Sequence, residues 1–228
     1  MTDIKTKVKT ISVAIDGPAG AGKSTVARQV AEALGYTYVD TGAMYRALAW
    51  AVLNAGISPQ DSLAVCVLAE RLDVRLTQKS VFADGMDITE KIRTPEISNL
   101  TSPLSALPCV RTRMVALQQE MGRRGGVVME GRDIGTVVLP NAEVKVFLTA
   151  SQAERVRRRR EELGEQGIAM SAEELGKDIA ERDARDSSRD VAPMVPASDA
   201  VPLVSDGLSV DEVVSRILGL CRAAGACS

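Results

Sequence analysis

Ile11, Val13 and Ile15 alternate with small residues within the stretch 8–16, which ends in a glycine cluster. That pattern predicts a buried strand. Val26, Val30 and Leu34 then recur at a spacing of four, on one face of a helix that Gly35 ends. A short strand over 36–40 follows. Three more apolar, β-branched runs, at 127–130, 144–148 and 201–204, read as strands buried on both faces. Five strands alternating with helices predict an α/β fold with a parallel sheet flanked by helices.

Three later helices open on a serine followed three residues on by glutamate: Ser151 and Glu154, Ser171 and Glu174, Ser209 and Glu212. In each the hydroxyl can accept from the third helical N–H while the carboxylate reaches back to the cap. Two stretches break the alternation. Residues 72–89 predict a hairpin of Val74 and Leu76 against Val81 and Phe82, with Asp84-Gly85 as one possible turn, inside a larger segment over 41–106. Residues 151–189 are dense in charge. Both read as insertions on one domain spanning 1–228.

Gly17-Pro18-Ala19-Gly20-Ala21-Gly22-Lys23-Ser24-Thr25 satisfies the P-loop pattern and lies where it must, after a strand and opening a helix. Glycines let successive N–H groups turn inward around a β-phosphate, and the helix N-terminus favours the anion. Lys23 can bridge β- and γ-oxygens, and Ser24 is expected to hold Mg²⁺. ATP and Mg²⁺ are therefore the expected cofactors. No guanine-reading Asn-Lys-x-Asp sequence accompanies the loop, which argues against a GTPase switch.

Composition narrows the chemistry. The 228 residues contain no histidine, which removes the usual general base, the Ser/His/Asp triad and most catalytic zinc sites. Cys66, Cys109, Cys221 and Cys227 lack zinc spacing and are expected to be reduced thiols. There is no apolar run of membrane-spanning length, and residues 1–10 lack the apolar stretch of a secretory signal, so a cytoplasmic protein without a membrane partner is expected. A net charge of −2 draws in no anion globally, and phosphate binding has to be local.

Two charged loops follow strands at the edge where ligands bind in open parallel sheets: Asp40-Thr41-Gly42-Ala43-Met44-Tyr45-Arg46 and Glu130-Gly131-Arg132-Asp133-Ile134-Gly135-Thr136. Thr41 and Arg46 are expected to face the P-loop, or alternatively to cap and decorate the following helix. Arg155 and Arg157 to Arg160 form one arginine group. If that stretch is helical, Arg157 and Arg158 pair with Glu161 and Glu162, leaving Arg155 and Arg159 for phosphate. Arg182, Arg185 and Arg189 fall on one helical face beside Asp186.

These motifs, in this order and with Arg182-Asp183 through Asp186 to Arg189 and Ala192-Pro193, resemble the bacterial cytidylate kinase family over nearly the whole chain. The resemblance implies a parallel-sheet core, an acceptor-binding arm at 41–106 and a mobile helical lid at 151–189. It implies transfer of the γ-phosphoryl of MgATP to CMP or dCMP. Thr41, Ser102, Arg111 and Asp133 would then lie around the cytosine, with Tyr45 also in the CMP site. Arg46 and Arg132 would lie around its phosphate, and Arg182, Asp186 and Arg189 near ribose or phosphate. Lys23, Arg132, Arg155 and Arg159 are the expected catalytic group. A carboxylate such as Asp133 can accept from the exocyclic amine of cytosine, where uracil offers an acceptor. A phosphate acceptor is already anionic near neutral pH, so no general base is needed. Rival readings are a kinase for UMP, AMP or a metabolite hydroxyl, with Asp16 or Asp40 as base, and an ATP-binding switch that uses its arginines on RNA. Few aromatic side chains are available for stacking, so no nucleic-acid partner is expected, and the chain is expected to be a monomer.

Overall fold

The computed structural model describes residues 10–165 and 167–226. Five parallel strands, β1 (Ser12–Asp16), β2 (Thr37–Asp40), β6 (Val127–Gly131), β7 (Val144–Thr149) and β8 (Val201–Val204), form one sheet in the order β2-β6-β1-β7-β8. The central strand pairs on both sides, with Val13 opposite Val128 and Val144. Residues 8 and 9 of the expected first strand lie outside the described residues. Helices α1 (Lys23–Leu34) and α8 (Val210–Ala223) cover one face, packing Val26, Val30 and Ile217 against Val13 and Ile15. On the other face Ala14, Val39 and Met129 meet Ile134 and Val138. Double-sided cover explains why β1 and β6 are continuous apolar runs. The expectation of burial on both faces fails for β8, where Leu203 is buried but Val201 and Val204 are exposed. It is an edge strand, and Pro202 is tolerated there because no partner requires its missing N–H.

Between β2 and β6 lies an arm with its own core. Helices α2 (Thr41–Asn54), α3 (Ser62–Arg71), α4 (Pro95–Ser105) and α5 (Pro108–Gly122) enclose Met44, Leu48, Val52, Val65, Leu104 and Met114. The expected hairpin is a three-stranded antiparallel meander, β3 (Val74–Leu76), β4 (Val81–Ala83) and β5 (Met86–Asp87). Leu76 does pair with Val81, but Asp84-Gly85 turns β4 into β5 rather than joining the first two strands. Both turn residues have positive φ, 47° and 79°, as such a tight reversal requires.

The reading of the cysteines as thiols is corrected at one pair: Cys66 of α3 and Cys109 of α5 form a disulfide, because the two helices bring their Cα atoms to 5.7 Å. Cys221 is a buried free thiol, and Cys227 lies outside the described residues.

Helices α6 (Gln152–Glu165) and α7 (Ala172–Ser187) pack on each other between β7 and β8. Ser171 and Ser209 form complete capping boxes with Glu174 and Glu212. The third box is half made. Glu154 donates its N–H to Ser151 Oγ at 3.3 Å, but its carboxylate binds Arg157 and Arg158, and the Ser151 N–H goes instead to Asp206. The arginine pairings also differ from expectation: Arg158 pairs back with Glu154, Arg159 with Glu162 and Arg155 with Asp183.

Candidate active site

The loop between β1 and α1 is built by glycine. Gly17 has φ 148°, and a Cβ there would sit 1.9 Å from the Leu148 carbonyl oxygen, so the loop can leave the sheet only without a side chain. Gly22 caps α1 in the left-handed region, aiming the helix N-terminus and its unpaired amides into the crevice. Lys23 donates to the Pro18 carbonyl at 2.7 Å and is buried. Burial lowers its pKa to about 7, and the positive charges of Arg132 and Arg182 push the same way while Glu130 and Asp16 oppose them. The ammonium thus sits in the field of arginines from the loop after β6 and from α7.

That field is the site's central fact. Lys23, Ser24 and Thr25 line one cavity of about 1010 Å³ together with Ala19, Gly20, Ala21 and Gly22. The same cavity is lined by Thr41, Tyr45, Arg46, Ser102, Arg111, Arg132, Asp133, Arg182, Asp186 and Arg189, and by Arg159 of α6. The structure brings together both groups of residues named in the sequence, with three exceptions. Gly17 and Pro18 are not among the lining residues. Arg155 lies outside the lining and binds the back of the P-loop.

Around α2, α5, α7 and the loop after β6 the polar groups are interlocked. Asp40 caps α2 by accepting from the Ala43 N–H at 2.8 Å and also pairs with Arg46 at 2.8 Å. The helix cap is therefore Asp40, while the Thr41 hydroxyl donates to the Glu130 carbonyl at 2.7 Å. Arg111 and Asp133 form a buried ion pair through Asp133 Oδ2, and the Arg111 guanidinium stacks 5.7 Å from the Tyr45 ring centre. Burial works against the charged Arg111, but Tyr45 and Asp133 raise its pKa overall. Asp186 accepts from Arg132 Nε at 2.9 Å and from Arg189. Burial would raise its pKa, yet Arg132, Arg189 and Arg182 hold it below the usual carboxylate range.

Two features suit the cavity to anions and polar ligands. Burial lowers Arg182 to about 10, and Arg132, Arg46 and Arg159 add their repulsion. Ser102 Oγ and Arg182 Nε are buried without a hydrogen-bond partner among the described residues. Arginines crowded this closely need intervening negative charge.

Two carboxylates serve otherwise than the sequence reading suggested, which offered Asp16 only as a base and gave Glu130 no role. Asp16 accepts from the Ile134 and Gly135 amides at 2.8 and 2.7 Å, fixing the loop that carries Arg132 and Asp133. Burial raises its pKa to about 6 while those two amides lower it. Glu130 is buried, accepts from the Tyr38 hydroxyl at 3.1 Å and lines the same cavity as Ser24. Burial and the charge of Asp40 push its pKa up. Ser24 and Glu130 give an all-oxygen donor set beside the phosphate loop, which fits Mg²⁺. Among the described residues no three His, Cys, Asp or Glu side chains form a metal cluster, so that cation would draw its other ligands from phosphate and water.

A family model described as cytidylate kinase matches residues 13–223. The chain is 48% identical over 215 residues to "Cytidylate kinase" of Desulfitobacterium hafniense, covering 93% of each. It is 52% identical over 214 residues to "Bifunctional pantoate ligase/cytidylate kinase" of a Nostoc species, covering 90% of this chain and 40% of that one. The chain thus spans about two fifths of the length of such bifunctional relatives. An uncharacterised protein from Eubacterium ventriosum shares the fold at TM-score 0.53 and 11% identity, covering 94% of this chain and 99% of that one. The family match runs through the sheet, the arm and the α6–α7 pair, and takes in every residue found around the cavity; the chain belongs to the cytidylate kinase family.

Proposed function

We propose that the chain transfers the γ-phosphoryl group of MgATP to CMP or dCMP, giving ADP and the diphosphate. One observation carries this reading: Lys23 of the glycine loop and Arg46, Arg132, Arg182 and Arg189 line a single cavity. Two nucleotides bound end to end would place their phosphates in that shared field.

The P-loop amides and Lys23 would hold the ATP phosphates, with Mg²⁺ on Ser24 and Glu130 supplying charge neutralisation when bound. Arg46 and Arg132 would hold the acceptor phosphate, and Arg182 and Arg159 would stabilise the charge that develops between donor and acceptor. Positioning and charge carry the catalysis, and no base is required. The carboxylates available to a hydroxyl-kinase reading are already engaged, Asp16 on two amides and Asp40 on a helix cap and Arg46. Arg158, Arg159, Arg182 and Arg189 line the cavity, which disfavours an RNA-binding face built on them.

For the base, Asp133 has Oδ2 on Arg111, leaving its geometry suited to accept the cytosine amine through Oδ1, with Ser102 Oγ available beside it. Asp186 with Arg189 and Arg182 suits ribose hydroxyls. We expect the chain to act as a monomer in the cytoplasm; among the described residues no helix is long and apolar enough to cross a membrane.

The test is a coupled ADP-release assay with MgATP against CMP, dCMP, UMP, AMP and GMP, run beside folded Lys23→Ala. Turnover confined to CMP and dCMP and lost in the variant is expected. Equal use of UMP, or full turnover in Lys23→Ala, would overturn the reading.

A further inference from the structure

Ala19 is the third residue of the phosphate loop, and the α6–α7 helix pair takes both of its backbone polar groups. Its N–H donates to Asp183 Oδ1 of α7 at 3.1 Å, and its carbonyl accepts from Arg155 of α6 at 3.1 Å. Arg155 and Asp183 are themselves an ion pair, with side chains 12% and 17% exposed. The neighbouring positions continue the contact. A Cβ on Gly20 would lie 3.1 Å from Arg155 Cβ and 3.2 Å from its carbonyl oxygen, so the bare glycine lets α6 lie against the loop. Arg158 donates to the Ala21 carbonyl at 3.2 Å and to Ser205 Oγ at 3.0 Å. Three consecutive loop residues are thereby read by α6 and α7.

We propose that Asp183 and Arg155 form a latch through which the α6–α7 helix pair sets the conformation of the phosphate loop, Asp183 being a positioning residue for the phosphoryl transfer proposed above, on which this inference rests. Geometry assigns the pair that role rather than contact with substrate. Arg155 lies outside the cavity lining, its guanidinium committed to Ala19 and Asp183. An inward-turned loop N–H is a natural anion donor, and Asp183 satisfies the outermost one with a carboxylate whose charge Arg155 cancels. The amides further along the loop remain for phosphate. An unpaired carboxylate in the same place would repel the polyphosphate, so the partners are asymmetric: loss of Arg155 is worse than loss of the Asp183 charge.

The experiment uses the full chain with Asp183→Asn, Arg155→Met and the double variant, each checked for native circular dichroism. Steady-state kinetics with MgATP and CMP are paired with hydrogen exchange of the peptide covering residues 17–25 in the absence of nucleotide. Asp183→Asn is expected to lower kcat about tenfold, with the KM for CMP within about threefold of wild type, and to speed exchange of the loop. Arg155→Met should lower kcat further and weaken ATP. The double variant should be no worse than Arg155→Met alone, because contacting partners do not add. Fully additive losses, or wild-type kcat and exchange in Asp183→Asn, would overturn the latch. A wild-type chain that fails to phosphorylate CMP sinks the kinase reading instead, and the exchange arm still decides the latch.

Discussion

Arg132 donates from Nε to Asp186 Oδ2 at 2.9 Å, joining the loop after β6 to helix α7 across 54 residues of sequence. Helix α7 and the loop after β6 therefore share one carboxylate, and that carboxylate is 2% exposed.

Because Asp186 also pairs with Arg189 and feels Arg182, its removal releases three cations at once. Asp186→Asn should lower kcat/KM for CMP by about ten- to a hundredfold, or ~1.4–2.7 kcal/mol. ATP binding, measured separately by titration with a non-hydrolysable analogue, should change far less. An equal loss for both nucleotides would show that Asp186 serves the cavity as a whole rather than the acceptor half.

Lys23 gives a proton-linked prediction. In the free protein its pKa is lowered to about 7, so at pH 8 the ammonium is largely deprotonated. A polyphosphate beside it favours the charged form, and ATP binding at pH 8 should take up close to one proton. Calorimetric titrations in two buffers of different ionisation enthalpy measure this, and an identical apparent enthalpy in both would contradict it. ATP affinity should correspondingly weaken as pH rises above 7. The sign for folding is opposite. Between about 7 and 10.5 the unfolded lysine holds more protons than the folded one, so the cost of burying this charge fades and stability rises with pH over that window.

The glycine loop and the five strands were legible because their signals are local: apolar runs of four to six residues, and a loop whose spacing fixes its conformation. The pairings that tune the site were not. Arg155 with Asp183 is 28 residues apart, and Asp16 reaches amides 118 and 119 residues away. From sequence, Arg155 looked unpaired because only partners within one helix turn or so could be counted, and Asp16 looked like a base because nothing local shows that two backbone amides occupy it. Glu130 was visible as a charged residue but not as the neighbour of Ser24, a relation that exists only once β6 lies beside β1.

Arg111 and Asp133 are buried together, with side chains 2% and 7% exposed. Breaking such a pair leaves one uncompensated charge, so Arg111→Met should destabilise the fold by about 3–5 kcal/mol in urea unfolding. Arg111→Met with Asp133→Leu removes both charges and should recover most of that loss while leaving CMP turnover abolished. If the double variant is as unstable as the single, packing of the Arg111 stem on Tyr45 rather than charge holds this part of the arm.

The Cys66–Cys109 bond joins α3 to the first turn of α5, two residues before Arg111, and closes a separation of 43 residues. Its main effect is to limit the unfolded chain, and a loop of that size corresponds to about 2–4 kcal/mol. Urea unfolding with and without a phosphine reductant should show that loss in the wild-type chain. Cys66→Ser should show the same loss without reductant and no further shift with it, which separates the crosslink from any general effect of the reagent. Because the constraint acts on the arm, reduction should leave the ATP affinity of the P-loop unchanged while raising the KM for CMP through Arg111. Equal stability of oxidised and reduced protein would mean that α3 and α5 are held by their apolar contacts alone, with Val65 and Val110 sufficient to keep the helices in place.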